Sequence, residues 1–315
     1  MVSLTFNRLT AALLVLASSN TQAFTATSSR SAFTFRQCQP AATVSSNHHV
    51  SVLSNNNNVH RRAGRHVLYM GWGPDPVWSS ATVSTVESAC DSGLCVSIAL
   101  AVPPETAAEY ATAGQYVQVR LNEETKPLFL AICSAPDKEN ASFDFLIKKT
   151  DGNEWMTGIS ADAAVEVSQV LGGGYATEEH LDGFKYDFPT QQVLLFAAGS
   201  GIAPIKAALE TGLLGPDDSR TAKLYYGERT AADLCFTDKF EAWKEAGFEV
   251  IPVLSQPDDS WTGRTGYVQN ALEEDGIAIP RNSGALLCGM KGMTESVKDI
   301  LTKAGVFEGR VLFNF

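Results

Sequence analysis

The pattern of apolar and polar positions changes near residue 189. Before that point, apolar residues occur in short runs, several of which alternate with polar residues and end at turn-forming residues. Such runs predict antiparallel strands, and their length and spacing are typical of a small β-barrel. The predicted strands cover residues 81–89, 94–102, 116–121, 128–133 and 143–148.

After residue 189, the predicted strands are apolar along their whole length and alternate with segments of helical periodicity. An unbroken apolar strand is buried on both faces, which predicts a parallel sheet covered by helices on each side. Such sheets bind their ligands at the carboxyl ends of the strands. Strands are predicted at 192–198, 223–226, 248–254, 285–288 and 310–313, and helices at 204–211, 238–245, 267–274 and 294–303.

The two patterns together predict a two-domain α+β protein. Residues 71–188 are expected to form an antiparallel β-barrel, and residues 189–315 an α/β domain with a Rossmann-like parallel sheet. Residues 1–70 fit neither pattern and are expected to be disordered and removed from the mature protein.

Residues 1–70 have the composition of a targeting segment. An apolar stretch at 9–18 follows Arg8, is too short to cross a bilayer and is typical of a signal-peptide core. The chain then lacks acidic residues as far as Pro74 and is rich in Ser, Thr, Asn and Arg, as transit peptides are. With Phe24 at the signal cleavage point, the segment resembles the bipartite targeting sequence of algae with secondary plastids, which implies the plastid stroma. The alternative is a secreted protein with a disordered stalk.

Charge is distributed unevenly along the chain. Six of the 24 basic residues and none of the 35 acidic residues precede Asp75, so the chain after residue 70 keeps 18 basic residues and a formal charge of −17. Such an acidic body disfavours nucleic acid, an anionic membrane or a strongly acidic ferredoxin as a partner. No transmembrane segment is expected in the mature chain.

The six cysteines do not form a recognisable metal or disulfide pattern. The sequence contains no C-x-x-C pair, and the spacing differs from that of plant-type iron–sulfur ferredoxins. Five of the cysteines fall in apolar or strand-like surroundings. We expect reduced, mostly buried thiols and predict no metal site.

A glycine-rich turn follows the first strand of the predicted parallel sheet. Residues 199–204 read G-S-G-I-A-P, in which the glycines permit a sharp turn and a close approach to a pyrophosphate. A glycine turn alone most often only joins a strand to a helix. Here further motifs stand at the ends of the next strands: Y-G-E-R-T at 226–230, W-x-G-x-x-G-Y-V at 261–268 and C-G-M-K-G-M at 288–293.

Together these motifs resemble those of the ferredoxin–NADP reductase superfamily. The matching segments are G-S-G-I-A-P, Y-G-E-R-T-x-x-D-L and C-G-x-x-x-M, and G-Q-Y-V at 114–117 matches a strand of the superfamily's flavin barrel. The F-L-A-I-x-S segment is most similar to the plant fruit-protein-like branch. The resemblance covers residues 77–315 and implies an oxidoreductase that uses FAD and a nicotinamide dinucleotide, NADH or NADPH.

The resemblance also implies roles for individual residues of the parallel-sheet domain. The glycine turn would line the pyrophosphate, Arg229 would lie near the adenosine, and Cys288 would lie beside the nicotinamide ring as the candidate catalytic residue. A buried strand cysteine and a surface arginine are the plainer alternatives. The residues expected to bind the dinucleotide are Gly199, Ser200, Gly201, Ile202, Pro204, Arg229, Gly289, Met290 and Met293.

The barrel departs from the family's flavin motif, Arg-x-Tyr-Ser-x-x-Ser. Leu128, Leu130 and Ala131 replace its arginine, tyrosine and first serine, and Ser134 retains the last serine. Phe129 alternates to the opposite face from its neighbours and is expected not to replace the tyrosine. The positions that are still expected to contact FAD are Ala131, Ile132 and Ser134.

Three further features are expected near the flavin. Glycine-containing segments at 152–157 and 171–175 would approach the pyrophosphate, and they contribute Trp155 and Gly173. Phe315 would cover the ring, as a terminal aromatic residue does in plant-type members of the family. A hairpin loop and a hydrophobic last strand are the plainer alternatives.

The sequence thus predicts an oxidoreductase that passes a hydride or electrons between a nicotinamide dinucleotide and FAD, and then to an unidentified acceptor. The alternative is a non-catalytic nucleotide-binding or redox-sensing module that has lost its flavin. The third strand of the parallel sheet is followed by Ser255-Gln256, where NADP-specific relatives often have Ser-Arg. This difference favours NADH, although Arg229 and Arg264 keep NADPH open.

Overall fold

A computed structural model describes residues 75–182, 186, 188–215 and 220–314. The targeting segment predicted for residues 1–70 and the role predicted for Phe315 lie outside these residues. Residues Leu68–Phe315 cluster as one compact unit, so the predicted domain boundary at residue 188 stays a prediction.

The first half of the described chain forms a six-stranded antiparallel sheet in the order β4-β3-β6-β1-β2-β5. The edge strands β4 and β5 approach each other where the amide of Cys133 donates to the carbonyl of Asp144 at 2.7 Å, so that the sheet nearly closes into a barrel. The strands are β1 (Trp78–Ser88), β2 (Cys95–Ala101), β3 (Tyr116–Arg120), β4 (Leu128–Ala131), β5 (Ser142–Lys148) and β6 (Ala164–Ser168).

Alternation of side chains explains which residues fill the barrel. In β3, Val117 and Val119 are buried between less buried neighbours, as expected for a strand with one face on the core. Strand β6 was not predicted, because its two valines stand in a short segment with Glu166 between them. Two short helices, α1 (Pro104–Glu109) and α2 (Glu154–Thr157), were not predicted either.

The second half forms a six-stranded parallel sheet in the order β10-β9-β8-β7-β11-β12. The strands are β7 (Gln192–Ala198), β8 (Thr221–Glu228), β9 (Phe248–Leu254), β10 (Arg264–Thr265), β11 (Ser283–Cys288) and β12 (Val311–Phe313). The helices are α3 (Ile202–Glu210), α4 (Phe240–Glu245), α5 (Val268–Asp275) and α6 (Lys291–Ala304). The predicted fold class, an antiparallel barrel followed by a parallel sheet, is confirmed.

The strand order fixes where a ligand can enter the parallel sheet. The chain moves outward from β7 to β10, then returns to place β11 on the other side of β7. This reversal opens a crevice beyond the carboxyl ends of β7 and β11, the usual ligand position in such sheets. No helix in the described part of the chain is long and apolar enough to cross a membrane.

Candidate functional site

The crevice between β7 and β11 opens into a cleft of about 1100 Å³, which also borders the end of β4 in the barrel. This volume is at the upper end of the range for ligand pockets. The sheet side is formed by the turns that follow β7, β8 and β11, and the barrel side by β4 and β5. The predicted residues that line the cleft are Gly199, Ser200, Gly201, Pro204, Arg229, Cys288, Gly289, Met290, Met293 and Ala131.

The two glycines of the turn after β7 have different surroundings. Gly199 adopts a left-handed conformation, with φ of 60°. The nearest atom to a β-carbon built on it would be a carboxylate oxygen of Glu228, at 3.9 Å. Gly199 therefore leaves open space on the cleft side, as expected for a backbone that approaches a ligand.

The space left by the missing side chain of Gly201 is occupied by the backbone at the end of β11. A β-carbon on Gly201 would lie 2.6 Å from the carbonyl carbon of Cys288 and would overlap the attached oxygen. The missing side chain thus lets the turn after β7 pack against the end of β11. This contact is a second reason for glycine at this position, and because Gly201 also lines the cleft, its contact with a pyrophosphate stays a prediction.

Five predicted site residues do not line the cleft, and two of them lie in the apolar core. Ile202 begins α3 with its side chain wholly buried in the core of the parallel sheet. Ile132 is wholly buried in the barrel. Both were assigned from motif positions, but the turn of a helix and the alternation of a strand direct these two side chains inward.

The other three residues lie elsewhere in the barrel half. Ser134 contributes to barrel closure, because its hydroxyl oxygen accepts a hydrogen bond from the amide of Asp144 at 3.3 Å. Trp155, in α2, packs against the barrel core, and Gly173 is exposed with open space around it. The segments around Trp155 and Gly173 therefore contribute less to the cleft than their glycines suggested.

Phe129 is the exposed residue of β4 and borders the cleft. Its side chain is 64% exposed, and its ring lies 6.1 Å from that of Tyr116 on the neighbouring strand. Leu130, which aligns with the family's tyrosine, is buried in the barrel core. The predicted alternation is correct, since Phe129 is exposed while Leu130 is buried, and both residues border the cleft. The expectation that Phe129 does not replace the family's tyrosine stays a prediction.

A buried carboxylate lies in the cleft at the end of β8. Glu228 is only 8% exposed, and burial raises the pKa of its carboxyl group. The ammonium group of Lys148, from the barrel, opposes that shift, and the hydroxyl of Tyr226 donates to the carboxylate at 3.4 Å. Neither Glu228 nor Lys148 was predicted, although Glu228 belongs to the Y-G-E-R-T motif.

Cys288 ends β11 at the edge of the cleft. Burial raises the pKa of its thiol to about 12. The side chain is therefore a neutral thiol near neutral pH, which does not suit a nucleophile or a general base. It can contact a bound ring, and its predicted place beside the nicotinamide stays a prediction.

Two buried amide groups in the cleft wall have unsatisfied hydrogen-bonding atoms. The side-chain nitrogen of Asn314 and the side-chain oxygen of Gln269 have no hydrogen-bond partner among the described residues. Buried polar atoms are nearly always paired in proteins, so an unpaired donor and an unpaired acceptor indicate a polar ligand. Sequence reasoning missed both residues, because neither belongs to a motif quoted for the family.

Arg229 and Arg264, the two arginines that could bind the 2′-phosphate of NADPH, differ in their surroundings. Arg229 is exposed and lines the cleft. Arg264 pairs with Glu274 at 2.5 Å and also with Asp275, so its charge is already balanced within the protein. Only Arg229 of these two is placed to meet a phosphate in the cleft.

Comparisons with known proteins agree with this geometry. Residues 195–299 match the family model of the oxidoreductase NAD-binding domain. The chain is 32% identical over 247 residues to the fruit protein pKIWI502 of Actinidia deliciosa, covering 75% of this chain and 76% of that protein.

A second relative matches over a shorter part of its length. It is the CDP-6-deoxy-L-threo-D-glycero-4-hexulose-3-dehydrase reductase of Yersinia pestis, which is 25% identical over 221 residues. That match covers 68% of this chain and 61% of the relative, so the chain spans about three fifths of the Yersinia protein.

A solved ferredoxin NADP+ reductase from Neisseria gonorrhoeae, with bound FAD and NADP, superposes with a TM-score of 0.60 at 15% identity. It covers 75% of this chain and 97% of that structure, and at this identity the likeness shows the fold alone. The fold and the identity to the Actinidia protein over three quarters of both chains show that the chain belongs to the ferredoxin–NADP reductase superfamily.

Proposed function

We propose that this oxidoreductase of the ferredoxin reductase type is an NAD(P)H-dependent flavoprotein that delivers electrons to an acceptor through FAD. One observation carries the proposal: the strand ends of the parallel sheet and strand β4 of the barrel border the same cleft. Bound there, a nicotinamide dinucleotide and FAD supply the hydride chemistry, and the protein supplies binding and orientation.

The sheet side of the cleft fits a dinucleotide. Gly199 leaves open space directly before the start of α3, and backbone N–H groups at a helix start favour phosphate. Gly292, in the first turn of α6, also lines the cleft, and a β-carbon built there would meet nothing within 4 Å. Exposed Arg229 adds positive charge at the end of β8.

The barrel side of the cleft offers contacts for a flavin ring, but it lacks the arginine that holds the flavin phosphate in the family. Phe129 presents an apolar ring, and Asn314, which follows β12 and lines the same cleft, offers an unpaired amide nitrogen as a hydrogen-bond donor. The clamp arginine is replaced by Leu128, so Lys148 is the basic side chain that this wall of the cleft offers. FAD would then be held mainly by ring contacts and backbone groups.

Proton storage is a role that Glu228 can perform. Its raised pKa favours the protonated carboxyl group over a wider pH range than for an exposed glutamate, and the side chain lies beside the turn at Gly199. The neutral thiol of Cys288 and the side chain of Met293 would exclude water from the same region.

The acidic body favours a small quinone, a ferric species or another non-acidic partner over a strongly acidic ferredoxin as the acceptor, because the formal charge after residue 70 is −17. The reading as a non-catalytic sensor gains no support from the relatives, which include named reductases.

We also propose import into a plastid, supported by the acid-free composition of residues 1–74. A fluorescent protein fused behind residues 1–75 would report it. Plastid fluorescence is expected, and retention of the fusion in the secretory pathway would contradict the proposal.

The reductase proposal is tested by the visible spectrum of the purified protein and by oxidation of NADH and NADPH with ferricyanide. We expect a flavin spectrum, FAD in the heat-released supernatant, and turnover. Gly292→Trp should weaken dinucleotide binding about tenfold or more, since the ring would enter open cleft space. Glu295→Trp is the matched control, because Glu295 is exposed on the same helix and does not line the cleft. A colourless protein that takes up no FAD and oxidises neither nucleotide would refute the proposal.

A further inference from the structure

Three cysteines from distant parts of the sequence meet beside the cleft. Cys90 lies in the loop between β1 and β2, Cys95 begins β2, and Cys235 follows β8. Their sulfur atoms all lie within 4.8 Å of one another, and all three residues are buried. None of the three lines the cofactor cleft, so this cluster is a separate feature.

We propose that Cys90, Cys95 and Cys235 form a binding site for a zinc ion that links the barrel to the parallel sheet. Zinc–sulfur bonds of about 2.3 Å place tetrahedral thiolates about 3.8 Å apart, so the sulfur atoms need to move together by no more than about 1 Å. Thiolates are soft ligands that select zinc or monovalent copper over magnesium and calcium. Binding releases three thiol protons, and a water molecule would take the fourth position.

Hydrogen bonds around the cluster suit thiolate ligands. The amide of Cys95 is directed at the sulfur of Cys90 at 3.3 Å, and the hydroxyl of Ser92 lies at the same distance from that sulfur. The amide of Cys95 stabilises a charged sulfur once its proton has left, and the Ser92 hydroxyl can then turn to donate as well. Cys95 also pairs in register with Lys148, whose ammonium group offsets part of the negative charge of a three-thiolate site, whereas the nearby carboxyl group of Glu228 acts in the opposite direction.

The surroundings of the cluster give it a route to solvent and a structural task. Residues 91–94 form the tip of the β1–β2 hairpin and are largely exposed, so an ion can reach Cys90 from the surface. The same hairpin already contacts the sheet domain, since the amide of Ser92 donates to the carbonyl of Ala232 at 2.9 Å. A bound ion would reinforce this contact and hold the two walls of the cleft in place.

A dithiol switch is the competing use of these residues, but it requires only two sulfurs. The third sulfur also lies within 4.8 Å of the other two, and a disulfide between any two would leave it unused. The threefold arrangement therefore favours a metal ion over a disulfide.

The test measures zinc in the full-length protein, purified under reducing conditions from zinc-supplemented cells. We expect about one zinc ion per chain, and about tenfold less in Cys235→Ser. Cys133→Ser is the matched control, because Cys133 is also a buried free cysteine but lies outside the cluster. It should retain the zinc of the unaltered protein.

A second measurement keeps the proposal testable if Cys235→Ser does not fold. The metal-free, reduced wild-type protein is titrated with Cd²⁺, and a thiolate-to-metal charge-transfer band is expected with release of about three protons per ion. Absence of both zinc and the band would overturn the proposal. So would a Cys95–Cys235 disulfide in the protein isolated without reductant, if the reduced protein then binds no metal. FAD content and NADH oxidation measured on the same samples report separately on the reductase proposal.

Discussion

Gly201 packs directly against the backbone of Cys288, joining the turn after β7 to the end of β11. The nearest atoms to a β-carbon on Gly201 would be the carbonyl group of Cys288 and the amide nitrogen of Gly289. All are backbone atoms, so no rotamer change can relieve the overlap. The crevice at the reversal of strand order is therefore held to its width by a contact that only glycine permits.

Gly201→Ala is expected to destabilise the protein by about 1–3 kcal/mol, since the two turns must separate to admit a methyl group. Urea unfolding measures the change. Gly292→Ala is the control, because a β-carbon there meets nothing within 4 Å and alanine favours the helix. Equal stability of Gly201→Ala and the unaltered protein would show that the turns are not tightly packed.

Glu228→Gln is expected to stabilise the protein at neutral pH. Because the pKa of Glu228 is raised in the folded state, the carboxyl group binds its proton more tightly there than in the unfolded chain. Wild-type stability is then lost as the pH rises from the ordinary glutamate range through the raised pKa, whereas glutamine has no proton to lose. The advantage of the variant should therefore grow as the pH rises through that range.

Denaturant unfolding at several pH values measures this difference. Glu245→Gln, at an exposed position on α4, is the control and should show little pH-dependent advantage. A constant difference between Glu228→Gln and the unaltered protein across the pH range would mean that burial does not hold the proton on Glu228.

Cys288 is expected to react slowly with iodoacetamide near neutral pH. Its pKa of about 12 leaves almost no thiolate, and the rate should keep rising with pH up to the alkaline limit of the folded protein. Peptide-level mass spectrometry after timed alkylation measures the rate at this residue alone. Rapid modification near neutral pH, without unfolding, would contradict a buried neutral thiol.

The sequence predicted the elements well where one pattern was unambiguous. Strand β7 is apolar throughout and was predicted with its observed limits, 192–198, because only a strand buried on both faces has that pattern. Strand β6 was missed, because two valines separated by Glu166 do not distinguish a strand from a polar loop. This segment forms a strand because it pairs with β1 and β3, and such long-range pairing cannot be read from the local sequence.

The site was predictable where a motif fixes the backbone and less so where a side chain must point in one direction. The turn at Gly199 follows from the glycines themselves, whereas Ile202 and Ile132 were assigned from motif positions and point into the core. Glu228 and Asn314 reach the cleft only through tertiary packing. The cysteine cluster was even harder to predict from the sequence, because only the fold brings Cys235 close to Cys90 and Cys95, which lie far away along the chain.

Phe129→Ala is expected to weaken FAD binding about tenfold, because the variant loses the one ring that β4 presents to the cleft. Titration of the flavin-free protein with FAD, followed by flavin fluorescence, measures the affinity and any loss of quenching by a stacked ring. Phe129→Tyr should restore both. Leu130→Ala supplies the contrast: Leu130 also borders the cleft, but its side chain is buried in the barrel core, so this variant should cost about 2–5 kcal/mol of stability and change the fluorescence of bound flavin less than Phe129→Ala does. If Leu130→Ala alters the flavin signal and Phe129→Ala does not, the ring binds to the other face of β4 and the family's tyrosine position keeps its role.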